Sequence, residues 1–217
     1  KENNEKAISD LFIRTGRIQY IIIAFILTGF VVFGKSFIRL WAGSDYEDAY
    51  GITLCFFIPM TVPLIQNLGI IILQARNQMK FRSTLYVVIA FVSLVISIPL
   101  SKQYGGIGCA ISIALALTTG QIIVMNIYYH RVIHIDILDF WKEIGKMSLV
   151  PFAIGSLSFY LFCIYEIHTV QIFIVCIFAF SCIYVPLFWF FGMNAYEKEL
   201  FVSPVRRFVG RLQKNLQ

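Results

Sequence analysis

Charge is what this sequence has least of. Asp, Glu, Lys and Arg make up 14% of its 217 residues, against about 25% in an ordinary soluble domain. So few charged groups cannot cover a soluble surface, and an apolar share of 59% with a mean hydropathy of +0.77 excludes the soluble globular class. No acidic residue falls deep within an apolar run; Glu166 stands at a turn. An intramembrane coupling carboxylate is therefore not legible, nor is any catalytic constellation. Cys55, Cys109, Cys163, Cys176 and Cys182 lie in apolar runs without a CxxC pair and read as packing residues. His130 and His134 are four apart with Asp136 nearby, but spacing supplies no third ligand, so no metal site is expected. Gly105-Gly106-Ile107-Gly108 lacks the strand and the full spacing of a phosphate loop and reads as a tight reversal. A signal-peptide pattern is also missing. The chain opens on polar KENNEKAISD, starting at Lys1, and is expected to be a portion of a longer protein.

What the sequence does have is apolar length. A helix needs about 20 residues to cross about 30 Å of hydrocarbon. Charged residues fence off several runs of that size, and none alternates with the period of two that marks a membrane barrel strand. The prediction is an all-α polytopic membrane bundle of six transmembrane helices, near 18–38, 51–73, 83–100, 106–129, 147–165 and 169–191. Around them the chain divides into a cytoplasmic interfacial segment (1–17), a four-helix part (18–129) and a cytoplasmic connection (130–146). The final two helices (147–196) and a basic amphipathic cytoplasmic tail (197–217) follow.

Lys and Arg test that division. Fifteen fall on the side holding both ends, among them Arg14, Arg17, Arg76, Lys80, Arg82, Arg131, Lys142 and Lys146. Lys35, Arg39 and Lys102 make three on the other. The asymmetry places both ends in the cytoplasm. In the tail, Val205, Phe208, Val209, Leu212 and Leu216 recur at helical spacing between Arg206, Arg207, Arg211 and Lys214, after a Ser203-Pro204 start. That pattern suits an interface helix held by anionic membrane lipid. Ala7, Ile8, Leu11 and Phe12 form a weaker stripe at the other end. Basic clusters that alternate with membrane helices do not make a nucleic-acid surface.

Polar residues inside apolar runs need a reason, because lipid burial is costly for them. Lys35 and Arg39 are four apart on one face, with Trp41 beside them as a belt residue. They read either as a cationic cavity face for phosphate or acidic sugar, or as snorkelling side chains at the outer interface. Asp45, Glu47 and Asp48 follow closely and are able to pair with them. Pro59 and Pro63 are expected to bend or interrupt the second helix. Gln66, Asn67, Gln74 and Asn77 share one broad side of it, as cavity lining or as a helix–helix seam. Gln121 and Asn126 in the fourth helix are weaker candidates, and Ser112, Thr118 and Thr119 read as hydroxyls bonded to backbone.

Four stretches carry a family resemblance: FGKSFIRLWAGSDYEDAY (33–50), IPMTVPLIQNLGIIILQARNQMKFRS (58–83), KQYGGIGCAIS (102–112) and MNIYYHRVIHIDILDFWKEI (125–144). Their order and spacing, over about residues 20–145, resemble Wzx-type polysaccharide (O-antigen) flippases of the multidrug/oligosaccharidyl-lipid/polysaccharide exporter superfamily. The resemblance implies the second-lobe portion of a transporter like the MATE exporters and lipid II flippases (MurJ-like), completed by an N-terminal lobe. It implies a bacterial cytoplasmic membrane and movement of undecaprenyl-pyrophosphate-linked oligosaccharide to the outer leaflet, without chemistry on the substrate. A polysaccharide polymerase is an implied partner, no cofactor is implied, and the coupling ion stays open. The resemblance implies cationic cavity residues, for which Lys35 and Arg39 are the candidates in this sequence. The third run, FVSLVISIP, departs from the pattern near Ser93, where a polar Asn is expected.

Three rival readings remain. A multidrug exporter of the same superfamily would show a buried carboxylate. A membrane-embedded transferase would need chemistry from His130, His134, Asp136 or Asp139. A non-transporting scaffold for polysaccharide assembly would pack its helices without a polar cavity.

Overall fold

The structure, a computed structural model, describes residues 2–164, 167 and 169–203. Its described residues are helical, joined by short turns. In chain order the helices are α1 (Glu2–Trp41), α2 (Asp48–Ile65), α3 (Leu68–Ala75), α4 (Met79–Leu117), α5 (Met125–Arg131), α6 (Ile137–Ile164) and α7 (Val170–Leu187). A 3₁₀ turn, Ser44–Tyr46, precedes α2; wider π-helical turns occupy Thr118–Val124 and Phe188–Gly192; the backbone is helical again at 195–203.

α1 is the spine. Its 40 residues make a rod about 60 Å long, with no break between 2–17 and the apolar run that follows. The segment expected to lie along an interface is thus, from residue 2, the start of that rod. Its apolar stripe is divided: Phe12 is buried against Tyr129 and Phe140, with centroids at 5.8 and 5.1 Å, while Leu11 is exposed. Two cores form along α1. One gathers Phe12, Ile65, Leu73, Tyr129 and Phe140. The other packs Val32 and Phe33 against Met147, Phe180, Tyr184 and Phe188.

Among the described residues five helical stretches are long and apolar enough to cross a membrane, one fewer than the six expected: Glu5–Trp41, Ser44–Ile65, Met79–Arg131, Ile137–Phe162 and Val170–Gly192. The difference lies in Met79–Arg131, whose 53 residues would make a straight rod of about 80 Å. It is not straight. Gly105 has φ 60° and ψ −136°, which glycine tolerates without a Cβ penalty, and the chain reverses there. Beyond it Gly108 lies against the Leu100 carbonyl and Gly120 against the Ile89 side chain. Tyr128 stacks on Phe81 at 3.9 Å, and the Tyr129 hydroxyl accepts from Arg82 at 3.3 Å. Pairs 100/108, 89/120 and 82/129 define an antiparallel hairpin. The runs expected as separate helices, 83–100 and 106–129, are its two arms.

The second expected helix, 51–73, is interrupted. Pro59 and Pro63 sit inside α2, and the break falls just after them at Gln66 and Asn67. Gly69 and Ile70 donate to the Gln66 and Asn67 carbonyls at 2.9 and 3.0 Å, a tight i→i+3 turn that leaves the Leu64 and Ile65 carbonyls without helical donors. Gln19 replaces those donors. In the orientation that satisfies its amide, it donates to both carbonyls at 3.0 and 3.1 Å. Gly16, one turn earlier on α1, permits this approach, since a Cβ there would come within 2.8 Å of the Ile65 carbonyl oxygen.

In the connection 130–146 only residues 132–136 are non-helical. Asp136 ends it by accepting the Asp139 backbone N–H at 3.1 Å, an N-terminal cap for α6. Ser9 of α1 accepts the Asp136 N–H at 3.2 Å. The start of α1, the α3–α4 turn and the α5–α6 turn therefore share one end of the bundle, with Arg14, Arg17, Arg76, Lys80, Arg82, Arg131, Lys142 and Lys146. The hairpin tip, the α1–α2 turn, Lys35, Arg39 and Lys102 share the other. A Cβ on Gly106 would contact Ile52, which ties the tip to the start of α2. The tail stripe from Val205 onward and the turn at Glu166 lie outside the described residues, while 197–203 belongs to the helical backbone that starts at 195.

Candidate functional site

At the far end of α1, Lys35 and Arg39 project from one face into a cavity of about 210 Å³, lined also by Val31, Ser36, Tyr50 and Phe159. Two structural choices make it. Gly43, at φ 102°, turns the chain back so that 44–48 returns beside α1. The Tyr50 hydroxyl then donates to the Val31 carbonyl at 2.7 Å, fixing the start of α2 against the cavity wall. Arg39 stands in the last turn of α1, at the negative end of the helix dipole, which favours a cation there.

Glu47 is their counter-charge. It receives Lys35 Nζ at 3.3 Å and Arg39 Nε at 3.7 Å, one carboxylate oxygen each. The side chains are 63%, 40% and 32% exposed for Lys35, Arg39 and Glu47. An ion pair this open and this long is weak and exchangeable. Trp41, largely exposed and stacked on Phe37 at 6.0 Å, stands at the same level, where an interface aromatic belongs.

The amides expected to share a site with these cations do not reach it. Gln66 is beside Gln19 on α1, and Lys35 is 16 residues further along that helix, about 24 Å. Gln66 is buried and donates to Asn126 Oδ1 at 2.7 Å, and Asn126 donates in turn to the Ile122 carbonyl at 2.5 Å. That pair is a helix–helix seam, one of the two roles open to it from sequence. Asn67, Gln74 and Asn77 are exposed, and Asn77 takes φ 55° in the α3–α4 turn. Gln121 is buried in the π-helical turn with its amide nitrogen unpartnered. The structure joins Lys35 to Arg39 and Gln66 to Asn126, but not one pair to the other.

A third polar centre is one that the sequence reading missed. Arg17, with a side chain 5% exposed, donates Nε and Nη2 to the two oxygens of Glu197 at 2.6 and 3.2 Å, and Nη1 to Glu143 at 2.6 Å. The Asn194 N–H completes Glu197 at 2.8 Å, and Lys146 holds the other Glu143 oxygen at 2.6 Å. Arg14 lies over the Tyr196 ring at 5.3 Å. Arg14, Arg17, Glu143, Asn194, Tyr196 and Glu197 border a cavity of about 370 Å³, and the cluster pins the helical segment at 195–203 to α1 and α6. This is a bidentate, fully partnered cluster of the kind that survives burial. The signal in the sequence was faint: Arg17 stands at the edge of an apolar run, where it reads as a topological charge.

The remaining polar residues serve local structure. Ser112 and Thr119 donate to the Cys109 and Leu115 carbonyls of their own helix at 2.7 and 2.8 Å. His130 Nδ1 is 3.4 Å from the Ile135 carbonyl, and His134 takes φ 61° in the α5–α6 turn. Among the described residues no three His, Cys, Asp or Glu side chains gather as a ligand set, and Cys55, Cys109, Cys176 and Cys182 are free thiols. Cys163 has no described side chain. The structure is thus an all-α bundle with several helices long and apolar enough for a membrane. Comparison with family models, with curated proteins and with solved structures finds no match.

Proposed function

We propose that the chain forms part of a flippase that carries undecaprenyl-pyrophosphate-linked oligosaccharide from the cytoplasmic to the outer leaflet of a bacterial cytoplasmic membrane, without chemistry on the substrate. The observation that carries this reading is the cavity at Lys35 and Arg39: a cationic pair beside an exchangeable carboxylate, near the end of a membrane-length helix. It is supported by the resemblance in residues 33–50, 58–83, 102–112 and 125–144 to polysaccharide flippases.

A sugar–pyrophosphate headgroup cannot enter hydrocarbon alone, because its polar groups would be unpaired there. At Lys35 and Arg39 a pyrophosphate offers more charge than one carboxylate and a geometry the guanidinium grips with two hydrogen bonds. It displaces Glu47, and Glu47 reclaims the cations once the substrate leaves. Glu47 is thus a stand-in for the substrate and keeps the cations from trapping it. With the eight-cation end of the bundle in the cytoplasm, the cavity lies toward the outer leaflet, where the headgroup is delivered. Each of the two arms 79–104 and 106–131 then spans once, giving six crossings. A further lobe of the protein closes the other side of the pathway, and a polysaccharide polymerase receives the product. A scaffold whose helices pack without a polar cavity has no use for the Lys35–Arg39 face.

The test is deletion of the gene in its host, with surface polysaccharide and cytoplasm-facing lipid-linked precursor measured together, beside a Lys35→Ala/Arg39→Ala strain. Loss of surface polymer with trapped precursor in both strains is the expected result. Normal polymer and no trapped precursor, with redundant flippases removed, overturns the reading and brings a drug exporter of the same superfamily forward.

A further inference from the structure

The cavity beside Arg14 and Arg17 has a finished floor and an unfinished rim. Arg17, Glu143 and Glu197 form the floor, and their polar atoms are occupied by one another, by Lys146 and by the Asn194 N–H. Two further charges line the same cavity, Asp10 and Arg14, and among the described residues neither belongs to an ion pair. Their spacing makes this unexpected. Asp10 has Lys6 four residues before it and Arg14 four residues after it on α1, the interval at which opposite charges on a helix meet. It pairs with neither. The Arg14 guanidinium lies instead over the Tyr196 ring at 5.3 Å, beside the helical segment at 195–203. A ring contact of this kind takes up a face of the guanidinium and leaves its N–H fork open to an anion.

The two open charges are opposite in sign and ordered. Asp10 precedes Arg14 by four residues, about 6 Å along α1, and the uncharged run that begins at Ile18 is one turn further on. From the end of the bundle inward the sequence of groups is therefore carboxylate, guanidinium and hydrocarbon-compatible side chain. Ile18 and Ile22 continue from Arg14 at steps of four along one side of α1, and Ile22 is 56% exposed. A matching ligand has a hydrogen-bonding ammonium outermost, an anionic group next and an apolar chain last. An ethanolamine phospholipid has that order: ammonium, phosphate diester, acyl chain. A glycerol headgroup brings the phosphate without the ammonium, and a choline headgroup brings an ammonium that has no N–H for Asp10. A free amino acid offers the two charges but nothing for Ile18 and Ile22.

We propose that Asp10 and Arg14 bind the headgroup of phosphatidylethanolamine in the cavity of about 370 Å³, with the ammonium on Asp10, the phosphate on the Arg14 fork and an acyl chain lying along Ile18 and Ile22. The site requires membrane residence only, not flipping. It is separate from the Lys35–Arg39 cavity, since Lys35 is 21 residues further along α1 than Arg14, about 32 Å. Bound there, the lipid adds a second tie between α1 and the segment at 195–203, beside the clamp of Arg17 on Glu197.

The experiment is native mass spectrometry of the full chain in neutral detergent, with phosphatidylethanolamine, phosphatidylcholine and phosphatidylglycerol of matched acyl chains in competition. The wild type is expected to retain phosphatidylethanolamine about tenfold better than either rival, the effect of one charge-assisted contact. Asp10→Asn should remove that advantage without weakening the retention of phosphatidylglycerol, and Arg14→Gln should weaken the retention of all three. Lys80→Gln, at the same end of the bundle on α4, should leave the pattern unchanged. No preference in the wild type overturns the site without recourse to any variant. A preference undiminished in Asp10→Asn, retention unaffected by Arg14→Gln, or an equal loss in Lys80→Gln overturns it as well. Displacement of the lipid by free phosphoethanolamine would make this a site for a soluble ligand and overturn the lipid assignment.

Discussion

Arg17 and the pair Lys35–Arg39 are cations on the same helix, about 27 Å apart along it, and they are treated in opposite ways. Arg17 is 5% exposed, with two carboxylates at 2.6 Å; Lys35 and Arg39 are 63% and 40% exposed and share one carboxylate at 3.3 and 3.7 Å. The first arrangement commits all three guanidinium nitrogens to the protein's own carboxylates. The second places two exposed side chains around one carboxylate beside a cavity. Burial with full pairing marks a structural clamp, whereas exposure with loose pairing marks a place where a charged guest can exchange with the host's own group.

That contrast is sharpest in stability. Arg17→Met leaves Glu197 buried and unpaired, and should cost about 3–5 kcal/mol, read as thermal or denaturant unfolding in detergent. Arg39→Met should cost less than about 1 kcal/mol in the same measurement, because an exposed pair contributes little. Similar losses at both sites would dissolve the distinction.

Packing gives a second comparison between the two ends. A Cβ at Gly16 would meet the Phe140 ring at 2.5 Å and the Ile65 carbonyl at 2.8 Å, whereas Gly51 near the start of α2 has nothing within 4 Å. Gly16→Ala should therefore destabilise by about 1–3 kcal/mol through overpacking. Gly51→Ala should be neutral, or stabilise by up to about 1 kcal/mol through helix propensity. Unfolding midpoints of the two variants check it.

A smaller effect is expected at the seam. Gln66→Leu removes the donor to Asn126 and should cost about 1 kcal/mol, in line with interhelical hydrogen bonds in membranes. Asn126→Leu added to it should cost less than the sum of the single losses, since the two share one bond. Full additivity would remove the seam and reopen the cavity-lining alternative for Gln66.

The smallest stability change belongs to Glu47→Gln, at under about 1 kcal/mol. Its value is in binding: with the competing Glu47 charge removed, the Lys35–Arg39 face should hold pyrophosphate more tightly, measurable by calorimetry on the full chain. Unchanged or weaker binding would show that Glu47 does not compete for the site.

How much of this was legible beforehand varies by element. The apolar runs and their fencing charges located α7 to within a few residues, and α1, α2 and α6 apart from the extension of α1 back to residue 2, the end of α2 at Ile65 and the extension of α6 back to Ile137. Gly105 was legible as a reversal, though not as a reversal within one continuous helical stretch. The prolines foretold an interruption of 51–73 but not its place, because the break is set where Gln19 can take up the freed carbonyls and Gly16 lets α2 approach. The pairing of Lys35 and Arg39 with a following acid was open from their spacing, and Glu47 is the one that reaches both. Arg17 was not read as a site at all, since its partners are 126 and 180 residues away in the chain.

The sequence by itself determined the helical class and the division of cations between two ends. Backbone groups in an apolar run have no water to bond and must pair within the run, and charges are excluded from its middle. Both constraints act locally and can be read residue by residue. Only the tertiary structure decided which cation is buried with a carboxylate, which shares one loosely, and which lies over a tyrosine ring. Those outcomes depend on what the facing helix presents at a given height, and an ion pair's strength depends on the burial and geometry of both partners.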